Sequence, residues 1–218
     1  MRILSARLIL LLFLLGLCAA CAKQRAGSAD QPRHLAQELR VGVAPFSQPL
    51  HAGQLIAGHI PEAQGHVSAE ELQALDAQLE NILNKGTRRR YVFIPANNTV
   101  ADYTSGHSTG QPSALPRWIA YGREHGLDLL LVPQVLDWHQ RQGSRAGVTS
   151  AAHVRVEFFL INVPEESIAG RSVFEERQVG LVDDLLNVGS FIRRRGAWVS
   201  ADDLAREGMA DAVRELGL

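Results

Sequence analysis

One stretch decides what this chain can fold into. Residues 127–178 read LDLLLVPQVLDW, then SAAHVRVEFFLINV, then SIAGRSVFEERQ, and they hold most of the apolar material a sheet could use. Val154, Val156, Phe158 and Leu160 alternate with Arg155, Glu157 and Phe159, the period of two expected of a strand with one buried and one more polar face. Pro164, Glu165, Glu166 and Ser167 make a turn before the next run. A three-strand antiparallel meander is the expectation, and the rest of the chain reads as cover or loops.

The first 20 residues are of another kind. Arg2 and Arg7 precede the apolar run Leu8 to Leu17, and small residues follow, the layout of a secretory signal peptide. A spanning helix needs about 20 apolar residues, roughly twice this run. Both cysteines of the chain, Cys18 and Cys21, stand at the end of the run, so disulfides take no part in the fold. The segment Leu15-Gly16-Leu17-Cys18-Ala19-Ala20-Cys21 resembles the lipobox of bacterial lipoproteins, with Cys18 where that pattern usually has Leu. The resemblance implies cleavage before Cys21 and acylation of its thiol. Three acyl chains, at about 0.8 kcal/mol for each buried methylene, would hold the chain to a bilayer without a spanning helix. Ala22 and Lys23 follow, and the lack of Asp at the second position implies, by the same resemblance, an outer-membrane lipid anchor with the domain in the periplasm. Ordinary cleavage near Ala20 or Ala22 is the alternative and would release a soluble periplasmic protein.

Residues 1–20 take two arginines and no acid with them, so 20 basic side chains then face 23 acidic ones, a net charge of −3. That is no nucleic-acid footprint. Residues 21–38 read as the acylated cysteine and a flexible tether, polar with Gly, Ser, Asp and Pro. Residues 39–218 are the length of one α/β domain.

Within that domain Leu39 to Phe46 fits a first strand ended by Pro45. Ser68 and Glu71 form a capping box for a helix carrying Leu72, Leu75, Leu79, Ile82 and Leu83, which Gly86 closes. Tyr91 to Ile94 is a second strand. Leu115, Trp118, Ile119 and Gly122 mark a short helix ending at Gly126, and the meander follows. Asp183 and Asp184 open a further helix with Arg193 to Arg195 in its last turn, and Ser200 caps a final one. The predicted order is β-α-β-α-β-β-β-α-α, a mixed five-stranded sheet with helices packed on it.

The sequence VGVAPF, a helix, YGREHGLDLLLVPQVL and then AHVRVEFFLINVPEESIAGRSVFEE resembles the pattern of the curli assembly and transport lipoproteins, the penicillin-binding-protein activator lipoproteins and the amino-terminal domain of the Tol-system beta-propeller protein. The resemblance covers roughly residues 39–178 and implies an envelope protein. The segment WHQRQGSRAGVTS between the third and fourth strands is too polar and short for a membrane-spanning strand pair, so a pore is not implied.

Candidate chemistry is sparse. Gly106-His107-Ser108-Thr109-Gly110 fits G-x-S-x-G, but VADYTS before it and Gln111-Pro112-Ser113 after it lack the strand and helix that a nucleophile elbow needs. His51, His59, His66 and His107, with Glu62 and Asp102, fall in two long loops without a recognised ligand spacing. Trp118, Trp138 and Trp198 read as core or rim aromatics, and the Arg88–Arg90 and Arg193–Arg195 triplets as helix-end charges. The chain therefore reads as a membrane-anchored lipoprotein acting as a non-enzymatic binding or envelope-assembly component, without catalytic residues, metal or cofactor. Its partners are the bilayer, through Cys21, and an envelope protein. The rival is a periplasmic hydrolase using Ser108 or a histidine-bound metal. If the first two strands are parallel, loops 47–66 and 96–113 leave the same edge, where open α/β sheets bind ligands. His51, His59, Asn97, Asn98 and His107 are then the expected partner contacts.

Overall fold

Parallel and antiparallel pairing divide the sheet between them. The computed structural model describes residues 35, 38–86, 89–96, 110–143, 148–177 and 198–218. In it β1 (Val41–Val43) runs parallel to β2 (Tyr91–Phe93) on one side and to β3 (Leu129–His139) on the other. A short ribbon of β4 (Gln142–Gly143) and β5 (Val148–Ser150) continues the chain, a pairing the polar sequence did not announce. Then β6 (His153–Asn162) pairs antiparallel with β3, and β7 (Ser167–Arg177) with β6. The sheet order is β2-β1-β3-β6-β7, the mixed five-stranded sheet expected.

Strand ends follow from proline and side-chain capture. β1 is shorter than the predicted Leu39–Phe46: Pro45 has no N–H to donate, and the next donor, Phe46 N–H, goes to the Asp76 carboxylate at 2.7 Å. β2 likewise stops one residue early, although Ile94 N–H still donates to the Val43 carbonyl at 2.9 Å.

Among the described residues, three helices cover the sheet. The capping box predicted at Ser68 is present, Ser68 N–H donating to Glu71 at 2.8 Å and Glu71 N–H to Ser68 Oγ at 3.2 Å. It starts α1 (Ala69–Gly86). Burial pushes the Glu71 carboxyl up, but hydrogen bonds from Ser68, Gln140 and Trp138 outweigh it and leave the group below its ordinary value. The short helix α2 (Leu115–Glu124) ends before Gly126, whose φ of 60° is the left-handed conformation glycine accepts most readily. Ser200 and Asp203 form a second capping box for α3 (Ala201–Leu216). The helix predicted from Asp183 to Arg195 lies outside the described residues, as do Cys18, Cys21 and the tether apart from Leu35 and Glu38.

The two faces bury different things. On one, Leu75, Leu79 and Leu83 of α1 and Leu204, Met209 and Ala212 of α3 pack on Val41, Leu131, Val154, Val156, Phe158 and Leu160. On the other, Trp118 and Ile119 of α2 pack with Ile56 on Leu130, Val132, Phe159 and Ile161. The expected phase of β6 holds, but its second face is covered too: Glu157 and Phe159 are both 0% exposed. β6 is interior to the sheet and α2 and loop 47–66 lie over it, so a polar residue in that phase is buried rather than solvated.

A bulge interrupts β3. Its register with β6 steps from Val135↔Val156 to Asp137↔Arg155, leaving Leu136 as the extra residue. Such an insertion shifts the alternation by one residue. Val135 and Trp138 therefore both join the core under α1 and α3, whereas Gln134 and Asp137 both face loop 47–66.

The body is closed where the chain enters it. Leu35 N–H donates to the Gly217 carbonyl at 3.4 Å, and Arg89 reaches the carbonyls of Leu35 and Leu39 at 2.8 and 3.0 Å. Arg89 thus does more than charge a helix end. The described residues all fall in the compact unit His34–Leu218, and no helix among them is long and apolar enough to cross a membrane.

Candidate functional site

Parallel pairing of β1 with β2 and β3 sends loop 47–66 and the loop after β2 from one edge, as the sequence required. Glutamines fasten the first loop. Gln134 of β3 accepts from Ile56 N–H at 3.2 Å and donates to the Gln54 carbonyl at 2.8 Å. Gln64 donates to the carbonyls of Pro49 and Leu136, both at 3.0 Å. Gln48 donates to the Gly65 carbonyl at 2.7 Å and accepts from Val67 N–H at 3.1 Å. Buried main-chain groups outside a sheet need such partners, so side-chain amides do here what a strand ladder does elsewhere. The described end of the second loop is tied in as well: Ser113 and Ala114 N–H both donate to the Leu55 carbonyl, at 3.1 and 2.9 Å.

Of the predicted contact residues, His51 and His59 lie in this loop, half-buried and exposed respectively. Asn97, Asn98 and His107 lie outside the described residues, as do Ser108 and Asp102. The structure brings no cluster together from His51, His59, His66 and Glu62; the ligand-type cluster it forms among the described residues is Asp137, His139 and His153.

That cluster is built by pairing. His139 ends β3 directly opposite His153, which begins β6, and the bulge turns Asp137 to the same face. The two rings are nearly parallel, with 10° between planes and centroids 6.1 Å apart. His139 Nε2 lies 3.0 Å from Asp137 Oδ1 and His153 Nδ1 lies 2.9 Å from Asp137 Oδ2. Oδ1 also accepts the N–H groups of Gly65 (2.7 Å) and Trp138 (3.0 Å). Gly65 fits because it lacks a side chain: a Cβ there would meet the Trp138 carbonyl oxygen at 2.2 Å.

Beside the cluster two arginines close over a buried carboxylate. Glu157 accepts from Arg155 at 3.1 Å on one oxygen and from Arg171 at 2.6 and 3.0 Å on the other, and the Arg171 guanidinium sits 5.4 Å over the Phe159 ring. Gly58, at a φ of 83°, turns loop 47–66 over this pair. A buried carboxylate needs such pairing. This explains how Glu157 can sit in the interior, and it adds rigidity rather than chemistry.

At the ends of β1 and β2 a cavity of about 290 Å³ opens, lined by Val43, Pro45, Leu79, Phe93 and Ile94 with the carboxyls of Asp76 and Glu80. Burial raises the Asp76 carboxyl to about 6, against the lowering effect of its hydrogen bond from Phe46 N–H. The ends of β1 and β2 thus offer an apolar hollow with an acid of raised pKa, and the far end of β3 a fixed polar loop with an imidazole–carboxylate cluster. All three are features of recognition sites. A sequence signal for the cluster existed in D-W-H followed by a strand opening on His, but the bulge that aligns them had none.

No protein-family model and no curated protein matches the chain. Similar solved structures include the PelC dodecamer from Paraburkholderia phytofirmans, 13% identical, covering 86% of this chain and 94% of that one at a TM-score of 0.49. Another is the lipoprotein GNA1162 from Neisseria meningitidis, 13% identical, covering 72% and 93% at a TM-score of 0.35. At these identities and scores the likenesses assign no activity or partner, and the resemblance to the curli, activator and Tol proteins draws no support from them.

Proposed function

We propose that this chain is a bacterial lipoprotein, acylated at Cys21 and held at the outer membrane, whose periplasmic domain is a non-enzymatic binding component for another envelope protein. The observation that supports it is loop 47–66. Irregular loops of this length in compact domains tend to be functional or disordered, and this one is fastened along its length by Gln48, Gln64 and Gln134. A loop held in one irregular path by a buried glutamine, Gln134, and two half-buried ones, Gln48 and Gln64, presents a defined shape. His51 and His59 are the proposed contacts from this loop, and Asn97, Asn98 and His107 those from the second.

Anchoring is tested by growth on radiolabelled palmitate. Label should enter the wild-type chain and the Cys18→Ser variant but not Cys21→Ser; label in the latter would remove the lipoprotein assignment. Photo-crosslinking residues at His51, His59 and Asn98 should capture one and the same protein, and one at Arg206 on α3 should not. Capture from Arg206 alone would place the interface on the helical side.

A further inference from the structure

Asp137 ties Gly65 of loop 47–66 in place, but with His139 and His153 beside it the cluster's donors have a chemistry of their own. We infer that it is a binding site for a divalent first-row transition-metal ion, with zinc the reference ion. Two imidazole nitrogens and a carboxylate oxygen lie within 4.8 Å of one another. Bonds of about 2.0–2.2 Å to a tetrahedral ion set such atoms about 3.4 Å apart, so the 2.9 Å between His153 Nδ1 and Asp137 Oδ2 needs to open by only a few tenths of an ångström.

The carboxylate is prepared for this. An ionised oxygen has two lone-pair sites. Oδ1 already accepts two backbone N–H groups, so His139 Nε2 is a third neighbour on an oxygen with two sites. Oδ2 faces His153 Nδ1, leaving it a lone pair for a cation. Asp137 is only 4% exposed, and those two backbone bonds fix its orientation before any ion arrives.

The surroundings fit as well. His153 would bind through Nδ1, and Glu175 Oε1, 3.7 Å from its Nε2, needs to close to hydrogen-bond distance to act as the outer carboxylate that orients metal-bound histidines. His139, with 44% of its side chain exposed, stands at the rim and leaves a path for the ion. Two imidazoles favour transition ions over calcium or magnesium, which prefer all-oxygen sets. Three protein ligands leave a coordination position open. At the partner-facing edge, that position suits a ligand from outside the chain.

The test uses the full chain purified in detergent and stripped with a chelator, titrated with Zn²⁺ alone and with Co²⁺ as a spectroscopic substitute. One equivalent should bind, Co²⁺ should give visible ligand-field bands of low-symmetry nitrogen and oxygen coordination, and Zn²⁺ should raise the unfolding temperature. His139→Ala and His153→Ala should each weaken binding by more than about 100-fold, and Glu175→Gln by about tenfold, the range for outer-shell changes. His66→Ala and His125→Ala should leave it unchanged. Failure to bind one equivalent would overturn the site, as would equal affinity in the His139 and His153 variants. His139 is at the rim, so its variant decides the matter even if His153→Ala does not fold.

Discussion

The two faces of this sheet are both buried, yet they are buried in opposite ways. Under α1 and α3 the contacts are mainly apolar, from Leu75 and Leu79 to Phe158 and Met209, with polar exceptions such as Ser172 on Glu215, and helices supply the cover. On the other side, among the described residues, one short helix and an irregular loop lie over a face that holds Gln134, Asp137 and Glu157, each at most 4% exposed. The first face fits the pattern of a domain whose stability comes from area. The second accepts buried polarity and a loop cover, and in return it holds specific side chains in fixed places. Such polar networks are of high consequence: complete, they specify one arrangement; broken, they strand a buried charge or dipole.

Mutations should separate the faces by size and by kind of effect. Phe158→Ala removes a fully buried ring that meets Phe46 edge-on at a centroid distance of 6.0 Å. It should cost about 3–5 kcal/mol in urea unfolding, as buried Phe truncations do; a loss below about 1 kcal/mol would mean that this face does not dominate stability.

Arg155→Met keeps the volume but leaves Glu157 with Arg171 as its one cationic partner. Breaking part of a buried ionic group should cost about 2 kcal/mol, less than the 3–5 of a fully stranded charge. Gln134→Leu should cost about 1–2 kcal/mol by orphaning Ile56 N–H and the Gln54 carbonyl. Its sharper signature is amide exchange, which should quicken across residues 47–66 and stay unchanged in α1. Uniform exchange changes would erase the distinction between a loop-covered and a helix-covered face.

The smallest effect depends on pH. Because burial raises Asp76 from 3.8 to about 6, the folded state keeps a proton there that the unfolded chain has lost. The resulting stabilisation is fully present below about pH 4 and fades as pH rises through about 6. Asp76→Asn, which keeps an oxygen for Phe46 N–H, should lose that dependence and exceed the wild type at pH 7.5. For a half-exposed group the gain is on the order of 1 kcal/mol after screening by solvent. A wild-type urea midpoint that is flat from pH 4 to 7 would contradict the raised value.

The apolar face was legible in the sequence because its signals are local and periodic. The Ser68–Glu71 capping box, the cap at Ser200, a heptad-like spacing in α1 and alternation in β6 each point to one element, and the elements agree. The polar face was not legible, for reasons that can be named. Glu157 reads as solvent-facing by alternation until two arginines from β6 and β7 are brought to it. Asp137 reads as sharing a face with Val135 until the bulge at Leu136 shifts it. His139 and His153 are fourteen residues apart in sequence, and only the β3–β6 register makes them neighbours. Histidines in polar loops were the natural candidates for a metal, and the structure gathers the strand histidines instead.

The clasp of Leu35 on Gly217 gives this comparison a direction in space. It lies at the amino end of β1, with Arg89 bonded across it, while Asp137 and His139 lie at the far end of β3. Eight to ten residues of strand, at about 3.3 Å each, separate the two poles by roughly 30 Å. The chain therefore enters this body at one end of the sheet, and the Asp137–His139–His153 cluster stands at the other, a strand's length away.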